Sequence, residues 1–470
     1  MKRTKILATY GPSISTPDKI ARLIAAGANA FRVNCSHSTT KELYAATEVI
    51  RKGSAKARFP VGLLFDISGP KLRLDRFEGE VEIKAGETII LTKERSVPTD
   101  RMIGVNNEAV IDSLKKGERF YVDDGNIRFE ITKAEKTRVT ARALNDGVLL
   151  PSKGINLPDS DIKIPTISAK DKEDIAAAVK AGADYVALSF VRTGDDVLEA
   201  KKIIKRLGGE QRVIAKLEKR EAISSLESIM LVSDGVMVAR GDLGVELPYE
   251  DLPRLQKKII KLSNYHHKPV SVATQMLESM RFSPRATRAE VNDVASAVFD
   301  YVDCVMLSAE TASGKYPCEA VETMTTIIKA NETANGRPAL HIDNHFLKLE
   351  IPIAIAEAVS HSRERCQSEA IFAFTTSGFT AQMISNLYPS QPVIALTPLD
   401  RVLSQLSIFR SVYAVKITQP ESFEDMTRIV GRVCREYKIA TPGDVVIVTG
   451  GAPFGSTAPT NFMMFHKLEK

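Results

Sequence analysis

The chain has 470 residues, 44% of them hydrophobic and 26% charged, with a formal net charge of +6. This is an ordinary soluble globular composition, long enough for about three domains, and no apolar run approaches the roughly 20 residues of a membrane span. The mild charge is spread along the chain, and with 6% aromatics and no Trp there is no basic-aromatic stripe of the nucleic-acid kind.

Met1-Lys2-Arg3 leads straight into a strand without a signal-type apolar region, so a cytoplasmic protein without membrane or nucleic-acid partners is expected. The five cysteines, Cys35, Cys304, Cys318, Cys366 and Cys434, are odd in number and form no CxxC pair. That argues against a disulfide framework and a zinc site.

A strand-then-helix rhythm opens the chain with KILATY from Lys5, FRVN from Phe31 and VGLLFD from Val61. After Gly69-Pro70 it gives way to short β-type runs with turn signals, EGEVEIKAGETIIL, GERFYVDDGNIRFEI and TRVTARAL, until helical periodicity resumes near Ser168. It then returns with YVALSF from Tyr185, VIAKLE from Val213, VMVARGD from Val236, VSVAT from Val270 and CVMLSAE from Cys304. Ala26-Gly27-Ala28-Asn29 before the second strand echoes Ala181-Gly182-Ala183-Asp184 before the fourth.

Eight such units predict a (β/α)8 TIM barrel over 1–69 and 164–336, interrupted by an inserted β-barrel lid domain over 70–163. The insertion leaves the catalytic rim, where a cap excludes water during chemistry; a purely structural module is the competing reading. From about His341 the strands IFAFTT, VIALTP, VYAVKI and DVVIVTGG alternate with helices, which predicts a C-terminal doubly wound α/β domain over 337–470. Its loop Thr375-Thr376-Ser377-Gly378-Phe379-Thr380 joins a strand to a helix, where hydroxyls and backbone N–H groups suit a phosphate-bearing effector. Helix capping explains the same loop equally well. Gly450-Gly451 and Gly455-Ser456-Thr457 offer a second anion-facing turn.

The chemistry concentrates in VIAKLE and VMVARGD. Lys216 and Glu218 lie two apart and face the same way on a strand, and Asp242 closes the next strand at a matching height. Two carboxylates and an ammonium at one rim suit Mg2+ (or Mn2+), which leaves its other positions to water and substrate oxygens. The lysine then neutralises an anion held beside the metal. A surface pair with a turn-capping Asp242 is the bland alternative, and it must explain charges at the ends of apolar strands, where desolvation is costly.

Ten strings in order carry a resemblance: TYGPS from Thr9, FRVNCSH from Phe31, GPKLR from Gly69, VDDG from Val122, KGINLP from Lys153, AKLEKREAI from Ala215, VARGDLGVELP from Val238, ATQMLESM from Ala273, TRAEVNDVA from Thr287 and MLSAETASGKYP from Met306. Together they resemble the pyruvate kinase family over nearly the whole chain. The resemblance implies Mg2+-dependent phosphoryl transfer from phosphoenolpyruvate to ADP, giving pyruvate and ATP in the last step of glycolysis.

It assigns Lys216 to the phosphoryl in flight and the enolate, Glu218 and Asp242 to Mg2+, and Arg32 to the phosphoryl oxygens. The N–H groups of Gly241 and Asp242, opening a short helical turn, fall to the substrate carboxylate. Thr274, with Ser308 and Glu310, falls to proton delivery, and Asn34, His37, Arg73 and Lys153 to the nucleotide. A monovalent-cation site would comprise Asn34, Ser36, Asp66 and the carbonyl of Ile67, and the assembly would be a homotetramer.

Two departures from the family pattern matter. Lys71 stands in GPKLR where K+-requiring members carry Glu, so activity independent of K+ is expected, against a solvated hinge lysine with the requirement intact. Phe379 follows Ser-Gly in the C-terminal loop where sugar-phosphate-activated members often have a polar residue, which puts allosteric control in doubt. The rival functions are a barrel lyase or aldolase that forms a pyruvate enolate, and a non-catalytic sensor using the C-terminal pocket.

Overall fold

The computed structural model describes residues 1–94, 101–160, 162, 164–332, 350–453 and 458–469, with the side chains of His37, Arg363 and Glu364 excepted. Eight parallel strands close into a barrel: β1 Lys5–Thr9, β2 Ala30–Asn34, β3 Gly62–Ile67, β4 Tyr185–Leu188, β5 Arg212–Leu217, β6 Gly235–Ala239, β7 Val270–Ala273 and β8 Cys304–Leu307. Neighbours follow chain order, and β8 closes on β1 with Lys5 opposite Cys304. These strands read as continuous apolar runs because both faces are covered, by helices outside and by side chains from the other strands inside. Every residue of β3 and of β7 is buried.

The repeated Ala-Gly-Ala-Asn/Asp segments do the same job twice. Each glycine ends a helix, Pro17–Ala26 or Ala169–Lys180, with a positive φ (126° at Gly27, 65° at Gly182). The side chain two residues on then satisfies an amide at the start of a neighbouring strand. Asn29 Oδ1 accepts from Ile6 N at 3.0 Å and Asp184 Oδ2 from Leu63 N at 2.8 Å.

The insertion leaves after β3 and builds a separate core in which Phe120 and Phe129 stack at 4.8 Å. Its strands pair in two sheets. Among the described residues they make a six-stranded sheet and a two-stranded one, Val81–Ile83 with Gly147–Leu149. The segment 72–75 joins the two ends of the larger sheet, with bridges from Arg73 to Gly154, beside Ile155–Asn156, and from Leu74 to Val105, beside Met102–Gly104, and with Leu74 N donating to Lys153 O and Asp75 N to Gly104 O, each at 2.9 Å.

The C-terminal sheet comprises β9 Ile371–Phe374, β10 Val393–Thr397, β11 Val412–Lys416, β12 Val445–Gly450 and β13 Phe462–Lys467, in the order β11-β10-β9-β12-β13. The last strand is antiparallel to β12 and was not anticipated, because FMMFHK lacks both alternation and turn signals of its own. Apolar residues of this domain join the barrel interior, Leu7, Leu64, Ile214 and Met237, in one buried cluster. The domain therefore plugs the N-terminal end of the barrel, leaving the C-terminal rim for chemistry. The segment around His341 and the turn Gly455-Ser456-Thr457 lie outside the described residues.

Candidate active site

Four barrel strands bring their charged ends together at the C-terminal rim. Lys216, on β5, extends its ammonium to Asp66 Oδ1 at 3.1 Å, Glu218 Oε1 at 2.7 Å and the Ser189 hydroxyl at 2.8 Å. Arg32, on β2, donates from Nε to Asp66 Oδ2 at 2.6 Å, and from Nη1 only distantly to Thr9 Oγ1 at 3.4 Å. Glu218, 1% exposed, takes the Phe190 N–H on its second oxygen at 2.8 Å.

Burial opposes charge on all three central groups, and their partners decide the outcome. For Lys216 the desolvation is outweighed by Asp66 and then Glu218, so its pKa stands above the usual lysine value. For Asp66 the desolvation is outweighed by Lys216 and Arg32, and its carboxyl stays below the usual range. Glu218 is raised, first by burial and then, against the pull of Lys216, by the negative charge of Asp242. That like-charge proximity is the feature a divalent cation relieves. Among the described residues no cage of three or more His, Cys, Asp or Glu forms.

Asp242 does not close β6 as expected. The strand ends at Ala239 and Asp242 lies in the first turn of the helix Arg240–Glu246, because the chain turns at once into helical hydrogen bonding after the apolar run. The Gly241 N–H donates to Thr274 Oγ1 at 2.9 Å, so a substrate carboxylate at this helix end would have to share or displace that bond. Thr274 follows β7 with φ 71°, an uncommon backbone for a β-branched residue, and its hydroxyl donates to Ala273 O at 2.6 Å. Arg240 pins this turn through the carbonyl of Thr274 at 2.7 Å and Asp293 at 2.6 Å.

Ser308 follows β8, and its buried hydroxyl has no hydrogen-bond partner among the described residues. Glu310 is directed elsewhere, accepting from the backbone N–H groups of Leu277 at 3.1 Å and Ser308 at 2.6 Å.

Beside this rim a cavity of about 300 Å³ opens between barrel and insertion, lined among others by Lys71, Arg73, Asp123, Lys153, Phe190 and Asp242. Lys153 pairs with Asp123 at 2.6 Å and draws that carboxyl below its usual range, while Arg73 donates to Ser152 O at 2.9 Å. The side chain of His37 lies outside those described.

Of the four residues expected to hold a monovalent cation, Asn34, Asp66 and Ile67 offer oxygens that already accept from the chain's own donors. Asn34 Oδ1 accepts from Ser36 N at 3.1 Å, Ile67 O from the Ser189 hydroxyl at 2.7 Å, and Asp66 from Arg32 and Lys216. Lys71 itself is exposed in the hinge, and its ammonium makes no ion pair among the described residues. Cys35 is fully buried and burial pushes its thiol up, which makes it core filler.

In the C-terminal domain the 375–380 loop joins β9 to the helix Phe379–Ser385 beside a cavity of about 150 Å³. Part of its donor set is already spent, since Thr375 Oγ1 accepts from Gly378 N at 2.9 Å, Ser377 Oγ accepts from Phe379 N at 3.4 Å and Thr380 bonds Thr460 at 2.7 Å. Thr376 also lines that cavity.

Sequence reasoning missed Ser189 and Arg192. A signal was present, because Ser189 directly follows the last apolar residue of β4, as Glu218 does on β5 and Thr274 on β7.

Comparison with known proteins supplies the family. A model described as pyruvate kinase, barrel domain, matches residues 1–321, and one described as pyruvate kinase, alpha/beta domain, matches residues 353–466. The chain is 37% identical to a pyruvate kinase of Thermotoga maritima over 476 residues, covering 100% of both. It is 38% identical to one of Methylorubrum extorquens over 468 residues, covering 98% of this chain and 96% of that one. A crystal structure of a pyruvate kinase from Cryptosporidium parvum, 33% identical, aligns with a TM-score of 0.93 over 99% of this chain and 96% of that chain.

Proposed function

The chain belongs to the pyruvate kinase family and transfers the phosphoryl group of phosphoenolpyruvate to ADP; from that premise we propose that Lys216, Arg32, Glu218, Asp242 and Thr274 carry out the reaction. The observation that carries this reading is the buried rim where Lys216 stays charged between Asp66 and Glu218. Three carboxylates, Asp66, Glu218 and Asp242, face two cations, Lys216 and Arg32. A divalent ion, Mg2+ or Mn2+, held by Glu218 and Asp242, would supply the charge neutralisation that phosphoryl transfer chiefly demands.

Lys216 sits where it can meet the phosphoryl in flight and the enolate left behind. Arg32 spends Nε on Asp66 and keeps its remaining fork donors for phosphoryl oxygens, a bidentate geometry that Lys lacks. Thr274, held by Gly241 N–H and Ala273 O, orders a water for protonation of the enolate together with the free Ser308 hydroxyl. The Asp242 N–H takes the substrate carboxylate, together with the Gly241 N–H when that bond is shared with or released from Thr274. Arg73 and Lys153 from the insertion, with Asn34 and His37 from the rim, take the nucleotide, and the inserted domain acts as a lid over them.

Engagement of the Asn34, Asp66 and Ile67 oxygens by protein donors supports activity without K+, with Lys71 adding positive charge to the cleft. The loop Thr375, Thr376, Ser377, Gly378 and Thr380 is the candidate effector site. The protein is a homotetramer of the cytoplasm; among the described residues no helix is long and apolar enough to cross a membrane.

The test is pyruvate formation from phosphoenolpyruvate and ADP with Mg2+, in potassium-free buffer and again with KCl at constant ionic strength. Equal rates are expected, together with a gained K+ requirement in Lys71→Glu. Turnover only with KCl would discard the role given to Lys71. No turnover in either buffer would favour a lyase or a sensor.

A further inference from the structure

Both chain crossings between barrel and lid rest on one short tract, residues 189–192, just after β4. At the outgoing crossing Gly69 packs so closely that a Cβ would lie 2.7 Å from the Phe190 ring and 3.3 Å from Ser189 Cβ. At the return crossing Arg192 donates to Ile162 O at 2.9 Å, Ile164 O at 2.8 Å and Thr166 Oγ1 at 2.7 Å. Thr166 in turn donates to Asp196 at 2.6 Å, and Asp196 accepts the Arg192 N–H at 2.8 Å. The same tract holds the chemistry, since the Ser189 hydroxyl accepts from Lys216 at 2.8 Å and the Phe190 N–H donates to Glu218 at 2.8 Å. Phe190 has φ 54°, so the tract is held in a backbone that a bulky residue rarely adopts.

We propose that Arg192 is a positioning residue that couples the seat of the lid to the placement of Lys216 and Glu218. Its planar fork holds two hinge carbonyls from two separate nitrogens in a fixed geometry, which the single ammonium of a lysine does not reproduce. Movement of the return crossing pulls on the guanidinium, and within three residues that displacement reaches the groups holding the ammonium and the carboxylate. The inference rests on the catalytic roles given above to Lys216 and Glu218.

A site that protonates an enolate also removes a methyl proton from pyruvate in reverse, and this step needs neither ADP nor a moving phosphoryl group. The experiment follows deuterium entry into the pyruvate methyl group in D2O by NMR, with Mg2+ and inorganic phosphate, for the wild type, Arg192→Lys and Thr166→Val. Arg192→Lys is expected to lose exchange and kcat together, by roughly tenfold or more, because small misplacements at a reacting centre are costly, with its melting temperature within about 3 °C of wild type. Thr166→Val, which removes one hydroxyl between Arg192 and Asp196, is expected to move the same way by about threefold, and it decides the matter if the arginine variant does not fold. Wild-type exchange in both variants with only a raised KM for ADP would reduce Arg192 to a hinge staple and overturn the proposal. Absence of exchange in a wild-type enzyme with normal kinase turnover would instead overturn the reading of the rim, and the inference with it.

Discussion

The barrel buries lysines at both of its ends, and their fates are opposite. At the C-terminal rim Lys216 meets Asp66 and Glu218 and is held charged above its usual range despite its burial. At the N-terminal rim Lys5, 1% exposed, meets a backbone carbonyl, Val412 O at 2.6 Å, and the ring of Tyr413 at 3.6 Å. Burial pulls its pKa well below the usual value, and the neighbouring Lys2 adds to the shift. Lys2, bonded to Asn29 Oδ1 at 2.8 Å, is pulled down by burial to about 7. Burial alone thus does not make a reactive centre. Carboxylates in direct contact keep Lys216 charged, whereas at Lys5 the nearby Glu332 only partly offsets burial and the side chain ties the C-terminal domain to the barrel floor through Val412 O.

The contrast breaks most sharply under substitution of the two lysines by methionine. Lys216→Met is expected to lower kcat by about 10³ or more, on the scale of removing a preorganised charge from a transition state. Lys5→Met should keep kcat within about twofold, because the lost group lies at the far end of the barrel from the chemistry. Steady-state assays of the pair check this, and equal losses would erase the distinction. Arg32→Lys keeps the positive charge beside Asp66 but loses the fork, and a fall of about 10² in kcat/KM for phosphoenolpyruvate is expected. A value near wild type would remove Arg32 from the phosphoryl clamp.

Two smaller effects concern stability. Lys5→Met leaves Val412 O without its side-chain donor and should cost about 1–3 kcal/mol in urea unfolding, the range for an orphaned buried acceptor. Lys2 makes stability depend on pH. Its folded pKa is about 7 and its unfolded one is near the ordinary lysine value, so between them the unfolded chain binds more protons. Stability contributed by this group therefore rises with pH from about 7 to about 10, by up to roughly 1.4 kcal/mol per pH unit. Urea unfolding at pH 7.5 and 9.5 should show the wild type gaining on Lys2→Met as pH rises. Parallel changes would mean that Lys2 remains charged in the folded protein.

Much of the fold was legible in local pattern. The eight apolar runs, their helical spacers, the break after Gly69-Pro70 and the repeated Ala-Gly-Ala turns each state their structure within a dozen residues, because strand and helix periodicities are local properties. The strand pairings of the lid and the strand β13 were not legible, since the pairing of short strands is decided by partners distant in sequence. In the site, Lys216 and Glu218 announced themselves by i, i+2 spacing. Asp66 did not. It entered as a monovalent-cation ligand, and the structure makes it the shared partner of Arg32 and Lys216.

What the sequence determined by itself is the order of the strands, the place of the insertion, the family, and which ionisable groups stand at strand ends. Tertiary structure alone decided which of those groups stay charged, and that residues 189–192 carry both the hinges and the catalytic pair. The physical reason is range. Side-chain direction follows from residues one or two apart, whereas protonation and hinge contact depend on a few ångströms between segments tens to hundreds of residues apart.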